Sequence, residues 1–201
     1  MNDFITLPDV PAVRLVNVTL PGWLAGSAES LVRGDLGLAG DRLADPAALG
    51  AAPAVDLRGA MVFPCFTDMH THLDKGHIWP RSPNPNGTFM GALTTVAEDR
   101  ALHWTAADVR ARADFALRCA YAHGTRAVRT HLDSIPPQDV ISWPVFRDLR
   151  ADWAERITLQ AVCLIGAEGV EPSGDGAFAA TARLVAEAGG VLGMVTYPLP
   201  D

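Results

Sequence analysis

The feature that most constrains this chain is a regular alternation of apolar strand-like segments with helix-like segments after residue 60. The strand candidates cover 60–66, 125–131, 157–165 and 191–197. Continuous apolar strands of this kind are buried on both faces, and helices packed on the sheet provide that burial. Successive strand–helix–strand units join parallel strands through right-handed crossovers. The sequence therefore predicts an α/β domain over 61–201 with a parallel sheet and about four βα units.

Helix signals lie between the later strands. Thr105 precedes a helix-like segment as an N-cap residue, with Asp108 at the third helical position, and His123-Gly124 marks its end. Two further helices are predicted over 143–155 and 175–188. Each predicted helix thus connects one apolar strand to the next, as a βαβ arrangement requires.

The first 60 residues have a different texture. The segments 13–18 and 55–59 alternate in part like strands, and glycine and proline residues interrupt the sequence every few positions between them. No long helical periodicity is present in this stretch. We therefore expect residues 1–60 to form a small β-rich amino-terminal domain and residues 61–201 to form the α/β domain.

Composition excludes several classes of function. The net charge of −7 leaves no basic surplus for binding nucleic acid or an anionic membrane surface. No apolar run approaches the ~20 residues that a membrane-spanning helix needs. The three cysteines have no CxxC spacing and are predicted to be buried free thiols, as in a reducing compartment. These observations predict a cytoplasmic protein without nucleic-acid or membrane partners.

The residues with the clearest chemical potential follow the first apolar strand. Because side chains alternate along a strand, Asp68, His70 and His72 are expected on one face, and Asp74 continues the same alternation. Two imidazoles on one face lie close enough to converge on one metal ion, and neutral imidazole suits Zn²⁺ or Fe²⁺. The carboxyl end of a parallel strand is also where catalytic groups of (β/α) barrels lie. The pattern therefore predicts His70 and His72 as metal ligands.

The segment 62–74 (VFPCFTDMHTHLD) resembles the first barrel strand of the amidohydrolase superfamily. Within that superfamily the segments 72–77 (HLDKGH), 129–133 (RTHLD) and 159–162 (LQAV) are similar to the cytosine deaminase group. The resemblance implies a TIM-type (β/α) barrel, here incomplete, with one divalent metal ion, Zn²⁺ or Fe²⁺. It also implies a metal-dependent aminohydrolase that deaminates cytosine or a related amino-substituted heterocycle by hydrolysing a C–N bond.

The resemblance assigns roles to particular residues. His70 and His72 would bind the metal, which activates a water for attack on the ring carbon that carries the amino group. Asp74, His131 and Asp133 would line the substrate pocket or support the metal ligands. Lys75 is expected in a solvated loop. The remaining metal ligands and the proton-transfer residues of the family are expected beyond residue 201, so no catalytic acid or base is assigned within the chain.

Several alternatives remain open. A closed (β/α)₈ barrel takes about 250 residues, so this chain is expected to be the amino-terminal half, inactive alone and paired with itself, a second chain or a carboxyl-terminal half. It would otherwise be a non-catalytic half-barrel. The resemblance to cytosine deaminases implies a glutamine at the end of the third strand that binds the amide edge of the ring. Gln160 lies too early in its strand for that role, which weakens the case for cytosine itself. In the same superfamily, cyclic-amide hydrolases often bridge two metal ions with a modified lysine from the fourth strand. The resemblance to that group is less favoured because 191–197 contains no lysine.

Overall fold

The computed structural model describes residues 5–170 and 176–196. Contacts between residues divide the chain into two compact units, Met1–Pro64 and Cys65–Asp201. Each unit contains its own sheet. The candidate site lies in the second unit, so the first is described only briefly.

The first unit is a four-stranded sheet with the order β3-β2-β1-β4. Strand β1 is antiparallel to β2, and β2 is antiparallel to β3, whereas β4 is parallel to β1. A bulge between Leu15 and Val18 keeps both of these apolar side chains buried, and Asn17 within it has a φ of 55°. Two of these strands, β2 and β3, lie in the glycine-rich stretch between 18 and 55, where the sequence indicated only turns. The bounds of the four strands are Ala12–Pro21 (β1), Leu31–Ala39 (β2), Arg42–Ala44 (β3) and Ala54–Asp56 (β4).

The second unit contains a parallel sheet in which the strands follow chain order. Strands β5 (Phe66–Thr71), β6 (Thr125–Asp133) and β7 (Thr158–Leu164) are adjacent in that order. Residues 191–195 lie alongside β7 through two isolated parallel bridges, Val162 to Val191 and Gly166 to Val195. They occupy the position predicted for a fourth strand, and residue 197 lies outside the described residues.

Four α-helices connect and cover this sheet within the described residues: α1 (Phe89–His103), α2 (Ala106–Ala122), α3 (Asp139–Asp152) and α4 (Ala177–Glu187). The predicted start of α2 is confirmed, because the Thr105 hydroxyl accepts a hydrogen bond from the Asp108 amide at 3.3 Å. Helix α1 was not predicted. None of the helices in the described part of the chain is long and apolar enough to cross a membrane.

The core of the second unit lies between the sheet and its helices. Val128, Thr130 and Leu132 of β6 are buried, and the two apolar residues among them belong to a core cluster with Leu117 of α2. Because side chains alternate along a strand, Arg129, His131 and Asp133 share the opposite face of β6. That face therefore presents polar side chains along a strand whose other face is anchored in the core.

The predicted buried strand over 60–66 was wrong. Strand β5 begins only at Phe66, and Met61, Phe63, Phe66 and Met69 are between 46% and 70% exposed. Within the described residues β5 pairs on one side only, with β6, so one of its edges has no neighbouring strand. An apolar run does not reveal whether a second strand covers it. The cysteines also differ from expectation, because Cys65 is exposed and only Cys163 is fully buried.

Candidate metal centre and adjoining cleft

Three imidazoles cluster near the carboxyl ends of β5 and β6. His70 lies in β5, and His72 follows one residue after the strand ends; their ring centroids are 5.3 Å apart and the rings are steeply inclined at 72°. His131 of β6 stacks on His70 with a centroid distance of 4.1 Å and lies 5.8 Å from His72. Parallel neighbouring strands thus bring together histidines that are about sixty positions apart in the sequence.

The protonation of these rings favours metal binding. His72 Nδ1 lies 3.0 Å from the carbonyl oxygen of His131. A carbonyl can only accept, so Nδ1 carries the proton and Nε2 retains its lone pair. Burial, followed by the nearby positive charge of Lys75, lowers the pKa of His72. Burial, followed by His70, lowers the pKa of His131. Both imidazoles are therefore neutral at neutral pH, which is the form that binds metal ions.

The donor set fits part of a divalent metal site. Metal-binding histidines usually donate a hydrogen bond from their second ring nitrogen to a backbone carbonyl or carboxylate, as His72 does to the His131 carbonyl. His131 Nδ1 is buried and has no hydrogen-bond partner among the described residues. However, no group of three or more His, Cys, Asp or Glu side chains in that part of the chain is arranged to hold a metal. A catalytic zinc usually takes three protein ligands, so the prediction of His70 and His72 as ligands accounts for two.

The two aspartates that flank the histidines occupy different environments. Asp68 Oδ1 accepts a hydrogen bond from the His70 amide at 3.1 Å and is exposed. Asp74 does not continue the alternation of β5, because the strand ends at Thr71. Its side chain is fully buried, and Oδ2 accepts a hydrogen bond from the Asp133 amide at 2.7 Å. Burial, followed by the negative charge of Asp133, raises the pKa of Asp74 to about 7.

Asp133, at the end of β6, carries two ion pairs. Its Oδ1 lies 2.7 Å from Lys75 Nζ, and its Oδ2 lies 2.6 Å from an Arg100 guanidinium nitrogen. Sequence reasoning expected Lys75 in a solvated loop, but its side chain is only 21% exposed. Arg100 was missed because its helix, α1, was not predicted. For Lys75, the one sequence signal of a place near the site was its position three residues after His72.

A cleft of about 230 Å³ opens beside these charges. Lys75, Arg100 and Asp133 form its polar part, and apolar residues of α1 and of the ends of β6 and β7 form the remainder, including Leu93, Val96, Ile135 and Leu164. Two of its polar residues follow the histidines closely in the chain: Lys75 lies three positions after His72, and Asp133 lies two positions after His131. A larger cleft of about 450 Å³ lies between the end of α1 and residues 135–141. None of the three histidines lines either cleft, but only the smaller one is lined by Lys75 and Asp133.

Arg112 of α2 holds the segment that follows His72. Its guanidinium donates hydrogen bonds to the carbonyl oxygens of Asp74 and Gly76, the latter at 3.0 Å. It also pairs with Asp108 at 2.8 Å and lies over the Trp104 ring at 5.1 Å from the centroid. Arg112 is 8% exposed, so its charge is compensated by fixed partners rather than by water. The backbone on either side of Lys75 is thereby tied to α2.

Asp99 of α1 anchors the next part of the same loop. Its carboxylate accepts two hydrogen bonds from Arg81, each at 2.8 Å, one from the Ser82 hydroxyl at 2.6 Å and one from the Trp104 indole at 2.7 Å. Arg81 also pairs with Asp108 of α2. The loop between β5 and α1 is thus fixed to both helices, and α1 in turn positions Arg100.

Enzymes with (β/α) barrels carry their active-site residues at the carboxyl edge of a parallel sheet, which is where this chain has its three histidines. A sequence profile of the Amidohydrolase family matches residues 54–157, just over half of the chain, and the chain belongs to this family. The predicted membership of the amidohydrolase superfamily is therefore confirmed.

The chain is similar to several known proteins. It is 47% identical over 207 residues to a protein named pterin deaminase from Rhizobium rhizogenes, covering 98% of this chain and 47% of that one. N-isopropylammelide isopropylaminohydrolase from Burkholderia multivorans matches with a TM-score of 0.61 and 25% identity, over 89% of this chain and 42% of that one. The 5-methylcytosine deaminase of Klebsiella pneumoniae matches with a TM-score of 0.59 and 19% identity, over 94% and 52%.

The chain spans about half the length of the curated relative that it matches. The likeness to 5-methylcytosine deaminase, at 19% identity, shows the fold alone. These comparisons support an α/β fold similar to that of barrel-type amidohydrolases.

Proposed function

We propose that this chain contributes two metal-binding histidines to an aminohydrolase that removes the exocyclic amino group of a pterin by hydrolysing a C–N bond. The observation that carries the proposal is the cluster of three imidazoles, His70, His72 and His131, in a chain 47% identical to a pterin deaminase. The same chain is only 19% identical to a 5-methylcytosine deaminase, so a pterin is favoured over cytosine among the amino-substituted heterocycles.

One divalent ion, Zn²⁺ or Fe²⁺, is the proposed cofactor, with His70 and His72 as its ligands from this chain. Such an ion supplies Lewis-acid activation of a water molecule. The chain's own contribution is to present unprotonated nitrogens. Burial keeps His72 neutral, and the His131 carbonyl fixes its proton on Nδ1. Stacking of His131 on His70 restricts the orientation of the His70 ring.

The proposed substrate is a small nitrogen heterocycle bound near the ends of β5 and β6. Asp133 belongs to the polar part of the adjoining cleft. Asp74 supports the end of β6 through its hydrogen bond to the Asp133 amide and does not line that cleft. His131 orients both proposed ligands: its ring stacks on His70, and its carbonyl accepts a hydrogen bond from His72 Nδ1. We propose that the other metal ligands and the proton-transfer groups lie outside the described residues, and that the 201 residues alone do not turn over substrate.

The test is ammonia release by a chimeric protein. The chain is joined to the carboxyl-terminal part of the R. rhizogenes pterin deaminase that it does not match, and the product is supplied with Zn²⁺ or Fe²⁺. We expect ammonia from pterin, slower release from cytosine, and none from the unjoined chain. His70→Ala and His72→Ala should each abolish release, whereas His123→Ala, at an exposed helix end, should not.

Three results would contradict the proposal. The first is a chimera that deaminates cytosine faster than pterin. The second is hydrolysis of a cyclic amide without ammonia release, which would favour the cyclic-amide alternative. The third is full activity after replacement of either histidine, because the metal would then be bound elsewhere.

A further inference from the structure

Within the part of the chain that the structure describes, the two cations paired with Asp133 have hydrogen-bond donors without a partner. A lysine ammonium carries three N–H groups and an arginine guanidinium five. One contact from Lys75 and one from Arg100 are directed to Asp133. The two cationic side chains remain 21% and 20% exposed, and both line the 230 Å³ cleft. Since Asp133 offsets one of the two positive charges, the polar part of the cleft has a net charge of about +1.

The lining of this cleft restricts the ligand that suits it. Lysine and arginine side chains can donate hydrogen bonds but cannot accept them, and both oxygens of Asp133, the acceptor in the lining, are already paired with these two cations. The apolar residues of the lining, among them Leu93, Val96 and Leu164, suit the faces of a flat ring. The volume lies below the ~300–1,000 Å³ of pockets that hold drug-sized ligands. A small planar ring with acceptor atoms on one edge matches these properties.

We propose that Lys75 and Arg100, oriented by Asp133, bind the oxo-bearing edge of the substrate ring and select for it. This inference rests on the function proposed above. In a pterin, the 4-oxo oxygen and the neighbouring ring nitrogen N5 are two acceptors side by side on one edge, matching two adjacent donor groups. The amino group to be removed lies elsewhere on the ring, so these cations recognise the substrate and take no part in the bond cleavage.

The surrounding structure holds both cations in place. Arg112 fixes the backbone carbonyls on either side of Lys75, and Asp99 anchors the helix that carries Arg100. A recognition group held in this way gains affinity because little side-chain or loop freedom is lost on binding. The same arrangement gives selectivity, because a 2,4-diamino ring places an N–H donor where the oxo group was, opposite two side chains that Asp133 holds and that can only donate. A site built to donate to a substrate group disfavours an analogue without that acceptor.

The experiment measures binding without turnover. The metal-free 201-residue chain, kept in EDTA, is titrated into pterin, and Kd is obtained from the change in pterin fluorescence. The competitor is 2,4-diaminopteridine. We expect Lys75→Met and Arg100→Met each to weaken pterin binding at least tenfold. The matched control is Arg118→Met, which removes a 72% exposed cation from an i,i+4 pair with Asp114 and should leave Kd unchanged.

Selectivity and folding provide further readouts. Wild-type protein should bind 2,4-diaminopteridine at least tenfold more weakly than pterin, and Lys75→Met should reduce that ratio. Because Asp133 is only 6% exposed, loss of one cation could destabilise the fold. The double variant Lys75→Met/Asp133→Asn removes the Lys75–Asp133 pair, and its new amide oxygen can still accept a hydrogen bond from Arg100. Its melting temperature should lie closer to the wild-type value than that of Lys75→Met, while pterin binding stays weak. Lys75→Arg should restore part of the affinity.

Two outcomes would overturn the inference. One is unchanged pterin affinity in Lys75→Met and Arg100→Met with lowered melting temperatures, which would make the ion pairs purely structural. The other is no pterin binding by wild-type protein, since the cleft lies within this chain. Neither depends on ammonia release. If binding depends on Lys75 but the chimera releases no ammonia, the inference stands and the proposed reaction fails; the reverse pattern rejects only the inference.

Discussion

Replacement of Asp99 by alanine tests whether the buried carboxylate of α1 holds the loop after β5. The Asp99 side chain has no exposed surface and accepts hydrogen bonds from Arg81, Ser82 and Trp104. Alanine removes every one of these acceptors. Trp104 is 3% exposed, so its indole N–H would stay buried without a partner.

The size of the effect follows from those environments. An unpaired buried donor costs about 1–3 kcal/mol. Arg81 is one-third exposed and keeps Asp108 as a partner, so water can solvate the donors that lose Asp99. Loss of the Arg81–Asp99 pair therefore adds only about 1 kcal/mol. The Ser82 hydroxyl contributes at most about 1 kcal/mol for a neutral donor that water can reach. We therefore expect Asp99→Ala to lower the free energy of unfolding by about 3 kcal/mol, at the lower end for a broken buried ion pair.

Urea denaturation followed by tryptophan fluorescence measures this change. Asp99→Asn keeps an amide oxygen for Trp104 and should lose less. The control is Asp148→Ala, whose pair with Arg147 spans 3.6 Å between side chains about 60% exposed and should contribute less than about 0.5 kcal/mol. A loss below about 1 kcal/mol for Asp99→Ala would show that the loop is held by other contacts, and the reasoning from buried donors would fail.

Three further predictions address pH, helix capping and metal binding. The Arg81 guanidinium holds the pKa of Asp99 well below its ordinary value of 3.8. The ionised Asp99 therefore stabilises the fold fully above about pH 4, and this stabilisation is lost progressively as the pH falls below about 4. Melting temperature should therefore fall more steeply in acid for the wild type than for Asp99→Asn, and parallel curves would contradict this. Thr105→Ala should cost about 1 kcal/mol in urea denaturation by removing the cap of α2, and no loss would show that the hydroxyl contributes nothing. His72→Ala should weaken Zn²⁺ binding by at least ~10-fold in calorimetric titration, whereas His123→Ala should not, and equal losses would place the metal elsewhere.

Much of the α/β part was predictable because its signals are local. The Thr105 cap and the glycine after His123 mark both ends of α2, and β6 and β7 start and end within two residues of the predicted segments. Pairing of His70 with His72 followed from strand alternation and a spacing of two. These features depend on a few neighbouring residues, which a single sequence contains in full.

Other features depend on partners that are distant in the sequence. Helix α1 escaped prediction because it has no apolar stripe: Phe89, Met90, Leu93 and Leu102 are exposed, and the residue it buries is Asp99. The contacts of the His131 ring with His70 and of its carbonyl with His72 could be predicted only with knowledge of the β5–β6 register. The low exposure of Lys75 depends on its ion pair with Asp133, which lies fifty-eight positions later in the chain.

The chain-order arrangement of β5, β6 and β7 has a consequence for synthesis on the ribosome. Each strand of this sheet pairs with the one made immediately before it, so a newly emerged βα unit finds its docking edge already present. Residues 191–195 join β7 in the same way. Chains lengthen at about 5–20 residues per second, which is slow relative to the formation of local structure. The second unit can therefore assemble in the direction of translation, with each unit serving as the template for the next.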